Sequence, residues 1–325
     1  MRGTDHQQQR CLRLHALASS LDRAGKRPPW NGWNANASAS SLSRMLRLPL
    51  TNELSAAAEA AVAAGLGVVE PEVLHLGNHT SARLSPWPIV ARIASGTSFD
   101  FSQGSLALEL EVACHLAALD APTVRPVTDL TPGPYVDGDC AITLWQFVEG
   151  RAVATRDDEF MAASSLGLVH SALAKLDADL PSFITKVESC ETILSDPCEA
   201  PRLAESDRLF LKERYTSFRD ELSGVKGAWQ PLHGDTHLGN VLIGHSGAIW
   251  MDLEAACMGP REWDVVNLPA ATWSEFGALD AALLRLFAKV RVLCIAVWCW
   301  AEFERSAATA EAAIYHLERL KARFA

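Results

Sequence analysis

The chain of 325 residues is 49% hydrophobic and carries a formal net charge of −10, so it is long and apolar enough to bury a large core in one or two domains. The acidic balance argues against a nucleic-acid-binding protein, because such proteins collect Lys and Arg to meet phosphates. The eight Cys residues form no Cys-x-x-Cys pair, which favours reduced, buried thiols in a cytoplasmic protein over a disulfide scaffold.

The first 48 residues differ in composition from the rest of the chain. They hold eight Lys or Arg residues against only Asp5 and Asp22. We predict one short helix over Leu12–Leu21 and disorder elsewhere in this segment. Two alternatives remain open: an Arg-rich targeting segment, or a start assigned too early, with Met45 as the first residue.

Residues 49–148 have the pattern of a small antiparallel sheet with helices. A helix over Thr51–Ala64 has Thr51 or Asn52 as its cap and ends before Gly65. The other predicted elements of this region are strands Glu72–Leu76, Ser81–Leu84 and Ile89–Ile93, helix Ser105–Leu119, and strands Val124–Leu130 and Ala141–Phe147.

Residues 149–325 are mainly helical in pattern, and 176–204 are predicted to be irregular. The predicted helices are Asp157–Lys175, Ser206–Leu222, Trp263–Trp273, Ala278–Glu304 and Thr309–Phe324. The apolar stretch Leu286–Ala301 contains Lys289 and Arg291, and the ten residues after Arg291 are too few to cross a bilayer. We therefore predict a buried core helix there and no membrane association.

A polar loop followed by a hairpin interrupts the helical pattern. His233, Asp235 and Asn240 lie in the loop, and Asp252 follows the hairpin. The hairpin consists of the apolar runs Val241–Ile243 and Ile249–Met251, with the turn residues of 244–247 between them. Because the strands are buried, the polar residues at their mouth are expected to face one cleft. Gly239 is expected to let the loop turn tightly.

These residue types suit phosphoryl transfer. Such a reaction needs a carboxylate to accept a hydroxyl proton and hard oxygen ligands to hold Mg²⁺ on nucleotide phosphates. Asp235 is the candidate base, Asn240 and Asp252 are the candidate metal ligands, and His233 is expected to brace the loop backbone.

Two other interpretations of this stretch are weaker. His233 and Asp235 could merely cap turns in a buried loop, but the spacing to Asn240 and Asp252 argues against that. A metal hydrolase could use His233 and His237 with His245, Asp252 and Glu254 as ligands. The Gly and Thr residues between the first two His argue against the helix that would align them.

The stretch also resembles a known family. His-Gly-Asp-x-His-x-Gly-Asn over 233–240, Met-Asp-Leu-Glu over 251–254 and Gly-Pro-Arg-Glu-Trp-Asp over 259–264 are similar to motifs of the aminoglycoside phosphotransferase and choline kinase family. The resemblance implies an α+β, two-lobed protein-kinase-like fold. Residues 49–148 would form the small antiparallel-sheet N-lobe that binds nucleotide, and 149–325 the mainly helical C-lobe with the catalytic and substrate sites.

The resemblance also implies roles in the N-lobe. The kinase pattern has a phosphate-binding Lys on the third strand, but this chain has Arg92 there, and Arg can also bind phosphate oxygens. Its partner on the next helix would be Glu109, with Glu111 as the alternative. The adenine would bond to backbone groups near Gln146 and Val148.

In the C-lobe the resemblance makes Asp264 structural, accepting backbone donors from the loop. It leaves Glu254 as a further contact to the metal site. His170 is predicted to be a hydrogen-bonded core residue. The expected activity is transfer of phosphate from ATP or GTP, with Mg²⁺, to a hydroxyl of a small molecule.

The sequence does not name that small molecule, and it leaves a monomer and a homodimer equally open. An aminoglycoside-like acceptor is expected, with choline, ethanolamine, a sugar or another metabolite as alternatives. The helical region combines three Trp with three Glu, which favours a cationic acceptor through carboxylates and cation–π contacts: Trp273, Trp298, Trp300, Glu275, Glu302 and Glu304. A catalytically inactive binding module of the same fold is the competing class.

Overall fold

The computed structural model describes residues 47–76, 79–95, 103–225, 228–305 and 307–324. The expectations for the first 46 residues, including the helix over Leu12–Leu21, lie outside this range. The described chain divides into two compact units. The sheet unit comprises the described residues up to Glu111 together with Val124–Val148, and the helical unit comprises Val112–Thr123 and the residues from Glu149 onward.

The sheet unit is built on five antiparallel strands in the order β1-β2-β3-β5-β4. Their bounds are β1 Glu70–Leu76, β2 Thr80–Ser85, β3 Ile89–Ser95, β4 Tyr135–Asp137 and β5 Cys140–Gln146. Burial alternates along β2 and most of β3, as expected where one face of a sheet packs on a core. The buried side chains that α1, Arg47–Ala63, contributes to this core are the small ones of Ala56, Ala57, Ala60 and Ala61.

One predicted strand of this unit is wrong. Residues 124–130 form no strand and make only an isolated bridge from Pro126 to Trp145. Proline has no N–H to donate to a ladder, so the segment crosses β5 through single bonds such as Val127 N–H to the Leu144 carbonyl. The short strand β4, which the sequence pattern did not reveal, takes the edge position instead.

The helical unit contains most of the remaining helices. After α2, Gln103–Ala118, which begins in the sheet unit, they are α3 Arg156–Leu173, α4 Phe183–Ser195, α5 Glu205–Ser223, α6 Glu262–Val265, α7 Ala281–Ala301 and α8 Ala307–Phe324. In α7 the residues Leu284 to Val297 include most of the buried positions, which agrees with the predicted core helix. Within the described residues, no helix combines the length and apolar character needed to span a membrane.

The prediction that 176–204 is irregular is also wrong, because α4 lies within it. Ser182 caps this helix by accepting a hydrogen bond from the Ile184 N–H. Buried Phe183, Val187 and Cys190 then recur at helical spacing. The predicted helix Trp263–Trp273 is shorter: α6 ends at Val265, and Pro269 precedes a 3₁₀ segment, Ala270–Phe276.

Two small sheets in the helical unit position the polar loop. Strand β7, Gln230–Leu232, pairs with β10, Cys257–Gly259. Strands β8, Val241–Gly244, and β9, Gly247–Trp250, form the predicted hairpin, with β6, Arg151–Ala152, on its outer edge. The 233–240 loop therefore runs from β7 to β8, and the 251–256 loop returns from β9 to β10. The α+β architecture of an antiparallel sheet and a mainly helical region is confirmed.

Candidate active site

The hairpin register brings the two loops together. Val241 pairs with Trp250 at the mouth of the hairpin, and one residue further the Met251 N–H donates to the Asn240 carbonyl at 3.0 Å. Asn240 and Asp252 are thereby held on adjoining loops at the end of the same ladder.

Asp264 holds the 233–240 loop through hydrogen bonds to the loop backbone. Its side chain is fully buried, and its two oxygens accept the N–H groups of His233 and Gly234, each at 2.9 Å. His170 bonds to the same carboxylate at 2.8 Å, and the Thr236 hydroxyl donates to the Asp264 carbonyl. The predicted structural roles of Asp264 and His170 are confirmed.

His233 is fully buried against the Trp250 ring, at 5.3 Å between centroids. Its Nδ1 accepts from the Asp235 N–H at 3.4 Å, so Nε2 carries the proton that it donates to the Met251 carbonyl at 3.1 Å. Burial lowers the pKa of His233, although nearby carboxylates oppose the shift. The neutral ring therefore links the two loops through their backbones.

Gly234 occupies a position that no other residue can fill without strain. Its φ is +86°, and a Cβ built on it would lie 1.7 Å from the Ala255 carbonyl oxygen. At Gly239 the reason for glycine differs from the expected tight turn: a Cβ there would lie 2.7 Å from His237 Nδ1. These two glycines let the loops approach each other and let the His237 ring fold back.

We expect Gly234→Ala to destabilise the protein by roughly 3 kcal/mol or more, because the clash with Ala255 adds to backbone strain. Gly167→Ala is the control. Gly167 lies within α3 with nothing near its missing Cβ, so Ala there is expected to stabilise by about 0.5–1 kcal/mol. Urea unfolding measures both, and equal midpoints for the two variants would contradict the steric explanation.

Asp235 lies at the surface of the loop, with its side chain 37% exposed. His237 Nε2 lies 3.5 Å from one carboxylate oxygen, and Arg291 Nη1 lies 3.4 Å from the other. Burial tends to raise the pKa of Asp235, but the positive charges of His237, Arg291 and Lys186 outweigh it and lower the pKa well below its usual range. The carboxylate is thus ionised at neutral pH and open to a ligand.

Arg291 was not recognised as a site residue from the sequence. It lies on α7, is buried, and donates from Nη2 to the Gly234 carbonyl. Its guanidinium carbon lies 4.0 Å above the centre of the Trp263 ring. An Arg within an apolar helical run was the available signal, since a buried charge requires partners.

The candidate metal ligands offer hard oxygen atoms. Asn240 is buried and donates from Nδ2 to the Asp235 carbonyl at 2.9 Å, which leaves Oδ1 as its acceptor. Asp252 has φ 71° and ψ 64°, a left-handed conformation that is costly for a residue with a side chain and often marks a functional site. Glu254 follows, half-buried, in the 3₁₀ turn Leu253–Ala255.

An amide oxygen and a carboxylate fit Mg²⁺, which keeps several waters and takes one or two protein carboxylates. Across the described ranges, no group of three or more His, Cys, Asp or Glu could hold a metal ion. The histidines of the hydrolase alternative are used otherwise: His233 bonds to Met251 and His237 contacts Asp235.

In the sheet unit, Arg92 on β3 pairs with Glu109 on α2, with 3.4 Å between Nε and Oε2. Both side chains are buried or nearly so, whereas Glu111 is exposed. Gln146 ends β5, and its N–H and side-chain amide donate to the carbonyls of Arg125 and Pro126. Val148, two residues on, is half-buried.

Four of the six Trp and Glu residues expected to attract a cation contact other groups of the protein. The Trp298 ring has the Lys186 ammonium 5.7 Å from its centroid, and its N–H donates to Ser189 Oγ. Buried Trp300 stacks on Phe303, at 4.8 Å between centroids. Of the other four residues, Glu304 pairs with Arg202 and Trp273 donates to the Leu268 carbonyl. Glu275 is exposed and Glu302 is half-buried.

A family model described as "Phosphotransferase enzyme family" matches residues 88–293, more than half of the chain. The chain belongs to this family. The match includes both loops, Asp264 and Arg291. Membership in the phosphotransferase enzyme family confirms the predicted resemblance and the prediction of an enzyme that transfers phosphate. A search of curated proteins finds no match.

Several solved structures have a similar fold. Choline kinase LicA from Streptococcus pneumoniae has a TM-score of 0.61 at 11% identity, covering 83% of this chain and 99% of its own. The amicoumacin kinase hAmiN complex with AMP-PNP, Ca²⁺ and Ami has 0.60 at 13%, covering 78% and 88%. The GDP and kanamycin complex of APH(2")-IIia has 0.59 at 18%, covering 81% and 97%. The protein-kinase-like fold expected for this phosphotransferase is thus confirmed.

Proposed function

We propose that this phosphotransferase moves the γ-phosphoryl group of ATP or GTP, with Mg²⁺, to a hydroxyl of a small molecule. The observation that carries the proposal is a pair of hydrogen-bonded loops. They hold ionised Asp235 next to Asn240, and Asn240 next to the residue before Asp252. The left-handed backbone of Asp252 and the partly exposed carboxylate of Asp235 favour an active site over an inactive binding module.

Asp235 orients the acceptor hydroxyl and takes its proton as the oxygen attacks phosphorus. Its low pKa is compatible with this role, because the transition state of phosphoryl transfer is loose and the proton leaves late. Positioning of the hydroxyl then contributes more than the strength of the base. His233 acts through the loop backbone, since its ring is buried and bonded to Met251.

Asn240 Oδ1 and the Asp252 carboxylate would hold the Mg²⁺, with Glu254 as a further contact. When bound, the ion neutralises charge on the nucleotide phosphates. In the sheet unit, the Arg92 guanidinium, oriented by Glu109, would bind phosphate oxygens. The Gln146 carbonyl and the Val148 N–H would bond to the adenine, because the Gln146 N–H is already used by Arg125.

The acceptor is a small-molecule alcohol, for which we retain two classes. Similar folds include proteins whose names give amicoumacin, kanamycin and choline as ligands or substrates, which supports an aminoglycoside-like or amino-alcohol acceptor. Lys186 supports the other class, a neutral or acidic alcohol. Its ammonium lies over Trp298, on the aromatic face that a cationic acceptor would use, and its charge acts on Asp235.

A coupled assay of nucleoside diphosphate release, ADP from ATP or GDP from GTP, tests the proposal. The panel consists of aminoglycosides, macrolides, choline, ethanolamine, neutral sugars and hydroxy acids, each with ATP and with GTP. We expect Mg²⁺-dependent turnover of at least one class. For a cationic acceptor, Lys186→Met is expected to lower KM about threefold or more, because one repelling charge is removed. For an acidic acceptor, the same variant is expected to raise KM.

A thermal shift measurement tests the inactive-module alternative. An enzyme of the proposed kind is expected to gain melting temperature from ATP or GTP only when Mg²⁺ is present, because binding to the folded state stabilises it. A shift that does not depend on Mg²⁺, together with no turnover across the panel, would favour the binding module.

The cytoplasmic location remains part of the proposal. Gel filtration distinguishes a monomer from a homodimer.

A further inference from the structure

Arg291 is a buried cation of the helical unit that contacts the 233–240 loop. It comes from α7, more than fifty residues after the loop, and it is 4% exposed. A guanidinium removed from water must be compensated by partners, or the fold is strongly destabilised. The identity of the partners therefore indicates what the residue does.

Three contacts surround the guanidinium. Nη2 donates to the Gly234 carbonyl, Nη1 lies 3.4 Å from Asp235 Oδ1, and the guanidinium carbon lies 4.0 Å from the centre of the Trp263 ring. The planar group thus bonds to the backbone and to the carboxylate of two successive residues while it stacks on an indole. Lys could supply the charge, but not the two donors in a fixed plane.

Two of the three contacts, those with Trp263 and Gly234, are made to groups that the surrounding structure holds. Trp263 is buried and immediately precedes Asp264, whose carboxylate binds the N–H groups of His233 and Gly234. The loop is therefore held by Asp264 through two of its N–H groups and by Arg291 through the Gly234 carbonyl. Arg291 also reaches Oδ1 of the reactive carboxylate, whose other oxygen lies 3.5 Å from His237 Nε2.

We propose that Arg291 is a positioning residue of the phosphoryl transfer, which fixes the direction of the Asp235 carboxylate and keeps it aimed at the acceptor hydroxyl. The inference rests on the proposed function of Asp235. A carboxylate oxygen has two lone-pair directions, so Oδ1 can accept from Arg291 and from the hydroxyl. Arg291 is 4% exposed, so we assign it a role through Asp235 and not a contact with substrate.

Substitution of Arg291 separates this role from a purely structural one. We expect Arg291→Met to lower kcat about 100-fold, because a misdirection of about 1 Å costs that much, while KM for the nucleotide and its Mg²⁺-dependent affinity stay within about twofold. Arg291→Lys keeps the charge and loses the two coplanar donors, so its kcat is expected to lie between that of the wild type and that of Arg291→Met.

Arg208 provides the matched control. It is also 4% exposed, and it donates to the carbonyls of Ile193 and Ala200, away from the loop. Arg208→Met is expected to lower the melting temperature at least as much as Arg291→Met and to leave kcat per folded molecule unchanged. If both variants lost kcat in proportion to their loss of melting temperature, Arg291 would have only a structural role.

A crystal structure of Arg291→Met gives a readout that needs no acceptor. We expect the Asp235 side chain to leave its position or to occupy several, with the 233–240 backbone retained through Asp264. An unchanged Asp235 side chain with wild-type kcat would overturn the proposal. The proposed function fails separately, by wild-type turnover in Asp235→Asn, so the two outcomes are distinguishable.

Discussion

Replacing Asp235 with Asn is expected to lower kcat by about 10²- to 10⁴-fold, the usual contribution of a positioned general base. The amide keeps the size of the side chain and the loop geometry, but it cannot take the hydroxyl proton. Because this interaction is made mainly in the transition state, the affinity for nucleotide with Mg²⁺ is expected to stay nearly constant.

Steady-state kinetics on the acceptor found in the panel, with calorimetry for the nucleotide, measures this effect. Asp177→Asn is the control, since Asp177 is exposed in the same unit and the change removes the same charge. Melting curves show whether the positive charges of Arg291 and His237 destabilise the protein once the Asp235→Asn change has removed their carboxylate partner. Turnover near the wild-type level would remove Asp235 from the mechanism.

The parts of the site predicted from the sequence are those encoded locally. The turn residues between Gly244 and Gly247 and the apolar runs on either side fix the hairpin. Asp235 and Asn240 could be predicted to lie close together because both belong to one contiguous motif. Asp264 was found because its motif is also contiguous, although its bonds to His233 and Gly234 span about thirty residues.

The parts that were missed depend on contacts between distant residues. Arg291 appears in the sequence as one charge in an apolar helix, and only the packing of α7 on Trp263 places it at the loop. Lys186 was missed with α4, whose polar neighbours Thr185, Glu188 and Glu191 obscure the apolar face. In 124–130 the apolar content suggested a strand, but Pro126 prevents a regular ladder.

Asp252 has two properties whose consequences differ. Its carboxylate is a candidate Mg²⁺ ligand, and its backbone is left-handed at φ 71°. Asn adopts this conformation more readily than other residues with side chains, and Gly adopts it without strain. The series Asp252→Asn, Asp252→Gly and Asp252→Ala therefore varies charge and backbone strain separately.

Asp252→Asn keeps an amide oxygen and is expected to lose Mg²⁺-dependent affinity for ATP by roughly 10- to 100-fold, the equivalent of one charge-assisted contact. Asp252→Gly and Asp252→Ala keep no oxygen ligand and are expected to abolish this affinity in practice. Without ligand, Asp252→Gly is expected to melt at or above the wild-type temperature, because about 1 kcal/mol or more of strain is relieved, whereas Asp252→Ala keeps the strain. Calorimetry with Mg²⁺ and with EDTA measures the affinity, and melting curves measure the stability. Unchanged affinity in Asp252→Asn would move the metal site elsewhere. If Asp252→Gly were less stable than Asp252→Ala, the left-handed backbone at residue 252 would not be strained.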